Sequence, residues 1–297
     1  MFVKKPPGKR IDLNICDISL HDGIPKQYYY LKDKIFNDWE IPPWELFIFK
    51  DRIIGNGSFA TVYLAKWRET YVVAKVINEN ICKHEKELVL REFKIMTKLH
   101  HPNIVQFLGY IDDPFIIVME YIPKGNLLDN IPHLYKRQKI QIMTDILRGL
   151  VYIHNRKPNS LIHRDIKPTN ILLTNSKVAK ITDFGLSKFY NLEKINSYDN
   201  LSELAENISH DLTIEVGTER YMAPEAHVSG KYNNKVDIYS CGILLYEMFE
   251  NKRYNPKYAM EWFWTPKKIK NIIINNMLCK NPNDRSEALS ILYLLEQ

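Results

Sequence analysis

Disulfide chemistry is the first thing this chain lacks. Its four cysteines, Cys16, Cys82, Cys241 and Cys279, are scattered over 297 residues, and no Cys-x-x-Cys occurs. That scatter argues against a disulfide framework or a cysteine-built metal site and fits a reducing compartment. There is no run of five or more basic residues, although the net charge is +6. The charge is therefore a solvated surface rather than the focused patch of a nucleic-acid binder. The opening "MFVKKPPGKR" has no apolar core and does not read as a signal peptide. The longest apolar stretch, "VDIYSCGILLYEMF", carries an Asp and a Glu and is too short to cross a bilayer. No internal repeat is visible. These absences lead us to expect a soluble, cytoplasmic protein whose partners include neither nucleic acid nor membrane. The oligomeric state stays open.

What is present is ordinary globular material, with 45% hydrophobic and 26% charged residues, enough for one large domain or two lobes. Residues 1–46 mix prolines, charges and aromatics without sustained period, and we expect an N-terminal extension that packs partly on the rest of the chain. "VYLAKW" and "YVVAKVI", separated by the polar "RET", predict an antiparallel hairpin. In "KHEKELVLREFKIMTKL", Leu88, Glu92, Met96 and Leu99 recur at helical steps and predict one shared face. "IVQFLGYIDDPFIIVMEY" predicts two more strands. Beyond "IPKGN" the pattern turns helical, with Met143, Ile146, Leu147, Leu150 and His154 on one stripe. Further helices are expected in "KVDIYSCGILLYEMF", "KKIKNIIINNML" and "EALSILYLLEQ". The expected architecture is α+β and bilobal: a small antiparallel β lobe with one helix over residues 47–122, then a mainly helical lobe over 123–297. The join between two unlike cores is a natural place for a ligand crevice.

Several residues do not fit a purely structural reading. Gly55 and Gly57 open a turn followed by the strand-like "ATVYLAKW", so the loop bends back as a hairpin. It serves either as a plain turn or as backbone pressed onto a phosphate chain. The Walker pattern is absent. Lys75 lies in an apolar strand and Glu92 on an apolar helical face. Unless alternation simply turns the lysine to solvent, each needs a counter-charge, and each can supply the other's. In "LIHRDIKPTNILL", Asp165 is either a neutralised turn residue or an acid held for chemistry. Asn170 and the later Asp183 offer oxygen ligands suited to Mg²⁺.

The ordered set Gly-x-Gly-x-Phe, Val-Ala-Lys, His-Arg-Asp-x4-Asn, Asp-Phe-Gly and Ala-Pro-Glu resembles the eukaryotic protein kinases over roughly residues 47–297. "HPNIVQFLGY", "EYIPKGNLLD" and "WEIPPWEL" resemble the tyrosine-kinase-like group, the Raf and mixed-lineage relatives. The resemblance implies ATP and magnesium as cofactors and protein substrates as partners. Ile54, Gly55, Asn56, Gly57 and Ser58 would contact the nucleotide, with Gly55 and Gly57 letting the loop lie over the phosphates and Ala60 in place of the family's third glycine. Lys75, oriented by Glu92, would hold the α- and β-phosphates. Val62, Ala74 and Leu172 would sandwich the adenine, Met119 would gate a small back pocket, Glu120 to Ile122 would meet the adenine edge, and Asn126 would lie near the ribose.

The same resemblance makes Asn170 and Asp183 the metal ligands, Asp165 the residue that accepts and orients the incoming hydroxyl, and Lys167 a stabiliser of the moving phosphoryl group. His163, Phe184, Met96 and Phe107 would stack as an apolar column. Asp237 would tie the catalytic loop from beneath, and Glu225 would pair with Arg285. "IKPTN" and Thr218 favour serine/threonine transfer. Arg164 would clamp a phosphate on the activation segment, with Thr213 the first candidate site and Ser209 the second, against the plain alternative of solvated loop hydroxyls. The region between Asp237 and Arg285 is short for the family. There Trp262, Phe263 and Trp264 are expected to fill the core rather than form a partner surface. The alternatives are an inactive kinase-fold scaffold, a dual-specificity kinase, a small-molecule phosphotransferase or a nucleic-acid-binding module.

Overall fold

The computed structural model describes residues 20–21, 24–57, 59–78, 81–190, 219–228 and 233–297. They form two compact units. One holds residues up to 98 together with 106–121, and the other holds 99–105 together with residues from 122 onward.

In the N-terminal unit the β-branched and aromatic runs become β1 (Leu46–Asn56), β2 (Ala60–Trp67) and β3 (Thr70–Ile77), followed by α1 (Lys83–Met96), β4 (Phe107–Ile111) and β5 (Ile116–Glu120). The strands make one antiparallel sheet in the order β1-β2-β3-β5-β4. The expected hairpin forms because Arg68 and Glu69 adopt φ of 44° and 65°, which lets Trp67 pair directly with Thr70. Alternation sends Val72 and Ala74 inward to pack with Ile48, Ala65, Ile116 and Val118.

Helix α1 begins where the Glu85 side chain accepts the backbone N–H of Cys82 at 2.6 Å, and it buries Val89, Glu92, Ile95 and Met96. One expectation fails here. Leu99 is buried, but it does not belong to the helical face, because the helix stops at Met96. Thr97 bonds back to Phe93, its hydroxyl reaches the Lys94 carbonyl, and the Lys98 N–H bonds Ile95, which closes the last turn tightly. The Leu88 side chain lies outside the described residues.

Part of the segment before β1 packs against this sheet. Tyr28 is fully buried beneath Trp44, and Trp44 also meets Phe36 edge to face. Trp39 to Ile41 run alongside β4, with the Ile41 N–H on the Tyr110 carbonyl at 2.7 Å and the Tyr110 N–H on the Trp39 carbonyl at 2.9 Å. The close approach is made possible by Gly109. A Cβ there would stand 2.7 Å from the Ile41 side chain and 2.8 Å from the Trp39 carbonyl oxygen.

The C-terminal unit contains α2 (Leu127–Asn130), α3 (Lys136–His154), β6 (Ser160–Ile162), β7 (Ile171–Leu173), β8 (Ala179–Ile181) and β9 (Lys188–Tyr190). Then come α4 (Pro224–Val228), α5 (Lys235–Glu250), α6 (Lys267–Ile272), which runs on into a π turn over Ile273–Met277, and α7 (Ala288–Glu296). Strands β7 and β8 pair antiparallel, as do β6 and β9. The predicted stripe of α3 is buried, His154 included. Helix α5 is buried nearly all round: its sequence is mostly apolar, and its charged residues Lys235, Asp237, Glu247 and Glu250 are buried with it. Arg285 is sunk behind it and makes paired bonds of 2.6 and 2.9 Å to Glu225, as expected.

The aromatic run after α5 departs from expectation. Trp262 is half-buried, edge-on to Tyr246, but Phe263 and Trp264 are 72% and 67% exposed. Core filling therefore holds for one ring of three. The cause is Glu250 at the end of α5. Its carboxylate accepts the backbone N–H groups of Phe263, Trp264 and Thr265 and the Thr265 hydroxyl, which fixes the backbone with the last two rings outward.

Asp237, on α5, has no exposed surface. It accepts the backbone N–H of His163 at 2.9 Å, that of Arg164 at 2.7 Å, and a 2.8 Å bond from the His154 ring. Burial pushes its carboxyl up, but these donors outweigh burial and hold it below the usual carboxylate range. Among the described residues, no helix is long and apolar enough to cross a membrane.

Two consequences are measurable in thermal unfolding. Gly109→Ala should cost about 1–3 kcal/mol, because the Trp39 backbone cannot yield, and the cost should shrink in an Ile41→Ala background. The depressed carboxyl of Asp237 gives stability that is present above its unfolded value near 4 and is lost as pH falls through its lower native value. Asp237→Asn should therefore lower stability at neutral pH by about 3 kcal/mol or more and flatten the acid limb of a stability–pH curve. An unchanged acid limb would refute that assignment.

Candidate active site

In the N-terminal unit the strand register brings the first group of predicted residues together. Gly55 pairs with Val62 and Asn56 with Thr61, so the glycine turn sits at the open end of the β1–β2 hairpin. The turn closes through the Gly57 N–H on the Ala60 carbonyl at 3.0 Å, and the Thr61 hydroxyl meets the Asn56 side chain at 3.2 Å. Ile54 is half exposed, and Ser58 lies outside the described residues. Neither glycine adopts a left-handed φ, and added Cβ atoms would meet only ordinary contacts at 3.6 Å or more. Among the described residues, packing therefore does not demand glycine at either position.

Across the hairpin, Lys75 lies opposite Val62 on one side and Ile117 on the other, next to the fully buried Ala74. Its ammonium meets both oxygens of Glu92, at 2.8 and 2.6 Å. The pair is mostly buried, with the lysine 19% and the glutamate 8% exposed, so each charge depends on the other. Met119 is buried on β5 opposite Val73 and Phe107. Glu120 exchanges bonds with Gln106: its backbone N–H donates to the Gln106 carbonyl at 3.0 Å, and its carboxylate accepts the Gln106 N–H at 2.7 Å.

The C-terminal unit assembles the second group. Ile122 is buried, and Asn126 bridges to Leu172 on β7. The Asn126 side chain caps α2, accepting the Asp129 N–H at 3.1 Å. The loop from His163 to Asn170 is fixed from α5 by Asp237 and from within by its own side chains. Arg164 takes a φ of 73°, a costly conformation for a non-glycine residue, and the Asp237 bond to its N–H holds it there.

Asp165 is 6% exposed. Its Oδ2 receives the Lys167 ammonium at 2.9 Å and the Asn170 amide at 2.8 Å, and that same amide reaches the Asp165 carbonyl at 2.9 Å. Its Oδ1 is buried and has no hydrogen-bond partner among the described residues. An acceptor oxygen left open beside a cation and an amide is expensive, and it signals a missing donor.

Asp183 is exposed, with φ of 64°, and its Oδ1 accepts the Gly185 N–H at 3.3 Å. Phe184 is buried against the His163 ring at 4.9 Å, while that ring reaches the Thr182 carbonyl at 3.1 Å. Because the Asn170 amide nitrogen is committed to Asp165, its carbonyl oxygen remains as a hard donor, and Asp183 supplies a carboxylate. Among the described residues no three His, Cys, Asp or Glu side chains converge to hold a metal by themselves. Two oxygen donors without a closed cage fit a metal carried mainly by phosphates and water. Thr213, Ser209 and Thr218 lie outside the described residues.

Two supporting residues escape a reading of the sequence. Periodicity places His154 only on an apolar stripe, yet its ring binds Asp237. Gln106, which braces Glu120, has no role in any motif. The first carries a usable signal, since a histidine on an apolar face and an aspartate in an apolar run both need partners. Gln106 carries none.

The protein kinase domain model matches residues 49–293. The chain is 39% identical over 231 residues to serine/threonine-protein kinase VIK of Arabidopsis thaliana, covering 72% of this chain and 48% of that protein. It is 34% identical over 221 residues to serine/threonine-protein kinase CTR1 of the same plant, covering 71% and 25%. A third relative, Arabidopsis serine/threonine-protein kinase 12, is 31% identical over 222 residues, covering 72% and 45%. The chain thus spans about half or less of the length of these relatives. With a family model over most of its length, the chain belongs to the protein kinase domain family.

Proposed function

We propose that this protein is a serine/threonine protein kinase that transfers the γ-phosphoryl group of ATP to hydroxyls of protein substrates, with Mg²⁺ as the metal. The observation that carries the reading is the Asp165 carboxylate. One oxygen is held by Lys167 and Asn170, and the other is buried with no donor among the described residues.

A substrate hydroxyl is the donor that Oδ1 lacks. Asp165 orients this hydroxyl and accepts its proton as the oxygen bonds to the γ-phosphorus and the bond to the β–γ bridging oxygen breaks, releasing ADP. Lys167, already paired with Asp165, offsets charge on the moving phosphoryl group. Lys75, held by both oxygens of Glu92, meets the α- and β-phosphates as a positioned cation. Gly55 and Gly57 are glycine for the ligand's sake: their own packing tolerates a side chain, so the lack of one serves the approach of phosphate to backbone N–H groups. Asn170 and Asp183 would ligate the metal, which when bound neutralises the phosphates. Ile54, Val62, Ala74, Met119, Glu120, Ile122 and Leu172 are assigned to the adenine and Asn126 to the ribose edge.

The serine/threonine preference rests on "KPT" between Asp165 and Asn170, and on relatives named as serine/threonine kinases. For regulation, a phosphate on Thr213 or, second, Ser209 would engage Arg164, whose backbone is already fixed by Asp237.

With radiolabelled ATP and a generic basic protein, the wild-type chain should yield phosphoserine and phosphothreonine. Asp165→Asn should lose at least about 100-fold in transfer. No transfer to protein by the wild type under Mg²⁺ or Mn²⁺ would sink the proposal. Thr213→Ala should lower activity and remove one phosphopeptide from the autophosphorylation map. Full activity with an unaltered map would discard that site.

A further inference from the structure

Phosphoryl transfer makes no use of one surface. Behind α5, two large aromatic rings face solvent on a backbone that the protein holds with unusual care. Phe263 and Trp264 are 72% and 67% exposed, while their N–H groups and that of Thr265 converge on Glu250, which is itself buried. Burial draws this carboxyl up, and the donors around it more than offset that, so it stays ionised and gripping at neutral pH. The neighbouring Trp262 is anchored inward on Tyr246 at 5.0 Å and carries Lys270 over its ring at 5.2 Å. The backbone carrying the outward rings is therefore fixed before any partner arrives, which lowers the ordering cost of binding. Exposed rigid aromatics of this kind are what dominate binding energy at interfaces.

The surroundings select the occupant. Lys267 and Lys268 follow within four residues of Trp264, and both are exposed. Lys257 and Tyr258, the latter 72% exposed, precede them on the same connection. The acid of this stretch, Glu261, is already paired with Lys252 at 2.7 Å. The surface is thus aromatic and positively charged. A second copy meeting it face to face would set lysines against lysines, which is repulsive. An anionic membrane gains only about 1 kcal/mol per basic residue near its surface and is recognised by clusters of about four to eight. In sequence, Lys267 and Lys268 follow the rings most closely, and Lys270 is committed to Trp262.

We propose that Phe263 and Trp264, flanked by Lys267 and Lys268, form a docking surface for an acidic segment of a partner protein that carries an aliphatic or aromatic anchor. The rings supply the contact area, and the lysines select acidic flanks and speed encounter.

The test needs no catalysis, so its outcome is separate from that of the kinase proposal. A random peptide library panned on the immobilised full chain should enrich sequences with Asp or Glu around a Leu, Ile or Phe. The best peptide, resynthesised with a fluorophore, should bind at least about tenfold more weakly to Phe263→Ser/Trp264→Ser. Lys267→Glu/Lys268→Glu should likewise weaken it, and wild-type binding should fall with added salt. Both double variants should keep the wild-type melting temperature and its basal phosphorylation of a generic protein. Enrichment without acidic character, or equal binding by both variants, would overturn the proposal. So would ring-dependent sedimentation with phosphatidylserine-containing vesicles in the absence of peptide binding.

Discussion

A single carboxylate fixes the geometry of the loop from His163 to Asn170, on which the rest of the C-terminal site depends. Asp237 is sealed inside α5 and spends its two oxygens on the N–H groups of His163 and Arg164 and on the His154 ring. Those bonds pin the chain at the point where it must turn through the unfavourable φ of Arg164. A conformation costing about 1–3 kcal/mol persists only where its surroundings over-determine it, and here a buried anion does so. The consequence reaches Asp165 through the backbone. With the two preceding residues fixed, Lys167 and Asn170 can both be satisfied by one Asp165 oxygen while the other stays open.

The same logic, a buried charge fixing a neighbouring element, recurs twice. Lys75 and Glu92 are each too expensive to bury alone, and together they lock the ammonium in place on β3. Glu250 applies the principle with backbone donors instead of a counter-ion, and the element it fixes is a pair of rings. In each case the sequence cost is visible as a charged residue in apolar company, and the gain is a side chain or loop held without help from a ligand.

That pattern also explains which features are legible in the sequence. The sheet is legible because period-2 burial and the "RET" turn leave few alternatives. The Lys75–Glu92 pair is legible because two desolvation problems have one joint solution. Asp165 is not legible alone: the role proposed for it comes from motif order and gains a chemical basis only from its open oxygen. The helix end at Met96 is easily misread because Leu99 continues the apolar period, whereas the tight final turn through Thr97 and Lys98 depends on local bonds that periodicity does not register. Phe263 and Trp264 mislead because hydrophobicity predicts burial only on average. The deciding interaction comes from a glutamate more than ten residues upstream, which captures their backbone N–H groups.

The glycine turn is the converse case, where the fold's own demands are absent. A glycine kept for backbone reasons shows a left-handed φ or a neighbour too close for a Cβ, as Gly109 does against Ile41 and Trp39. Gly55 and Gly57 show neither. Glycine there also costs conformational entropy on folding, so the sequence accepts a penalty that its packing does not require. A compensating benefit from outside the packed chain fits the phosphate approach proposed above. Surplus glycine is an observation independent of Asp165, and it supports the same proposed reading.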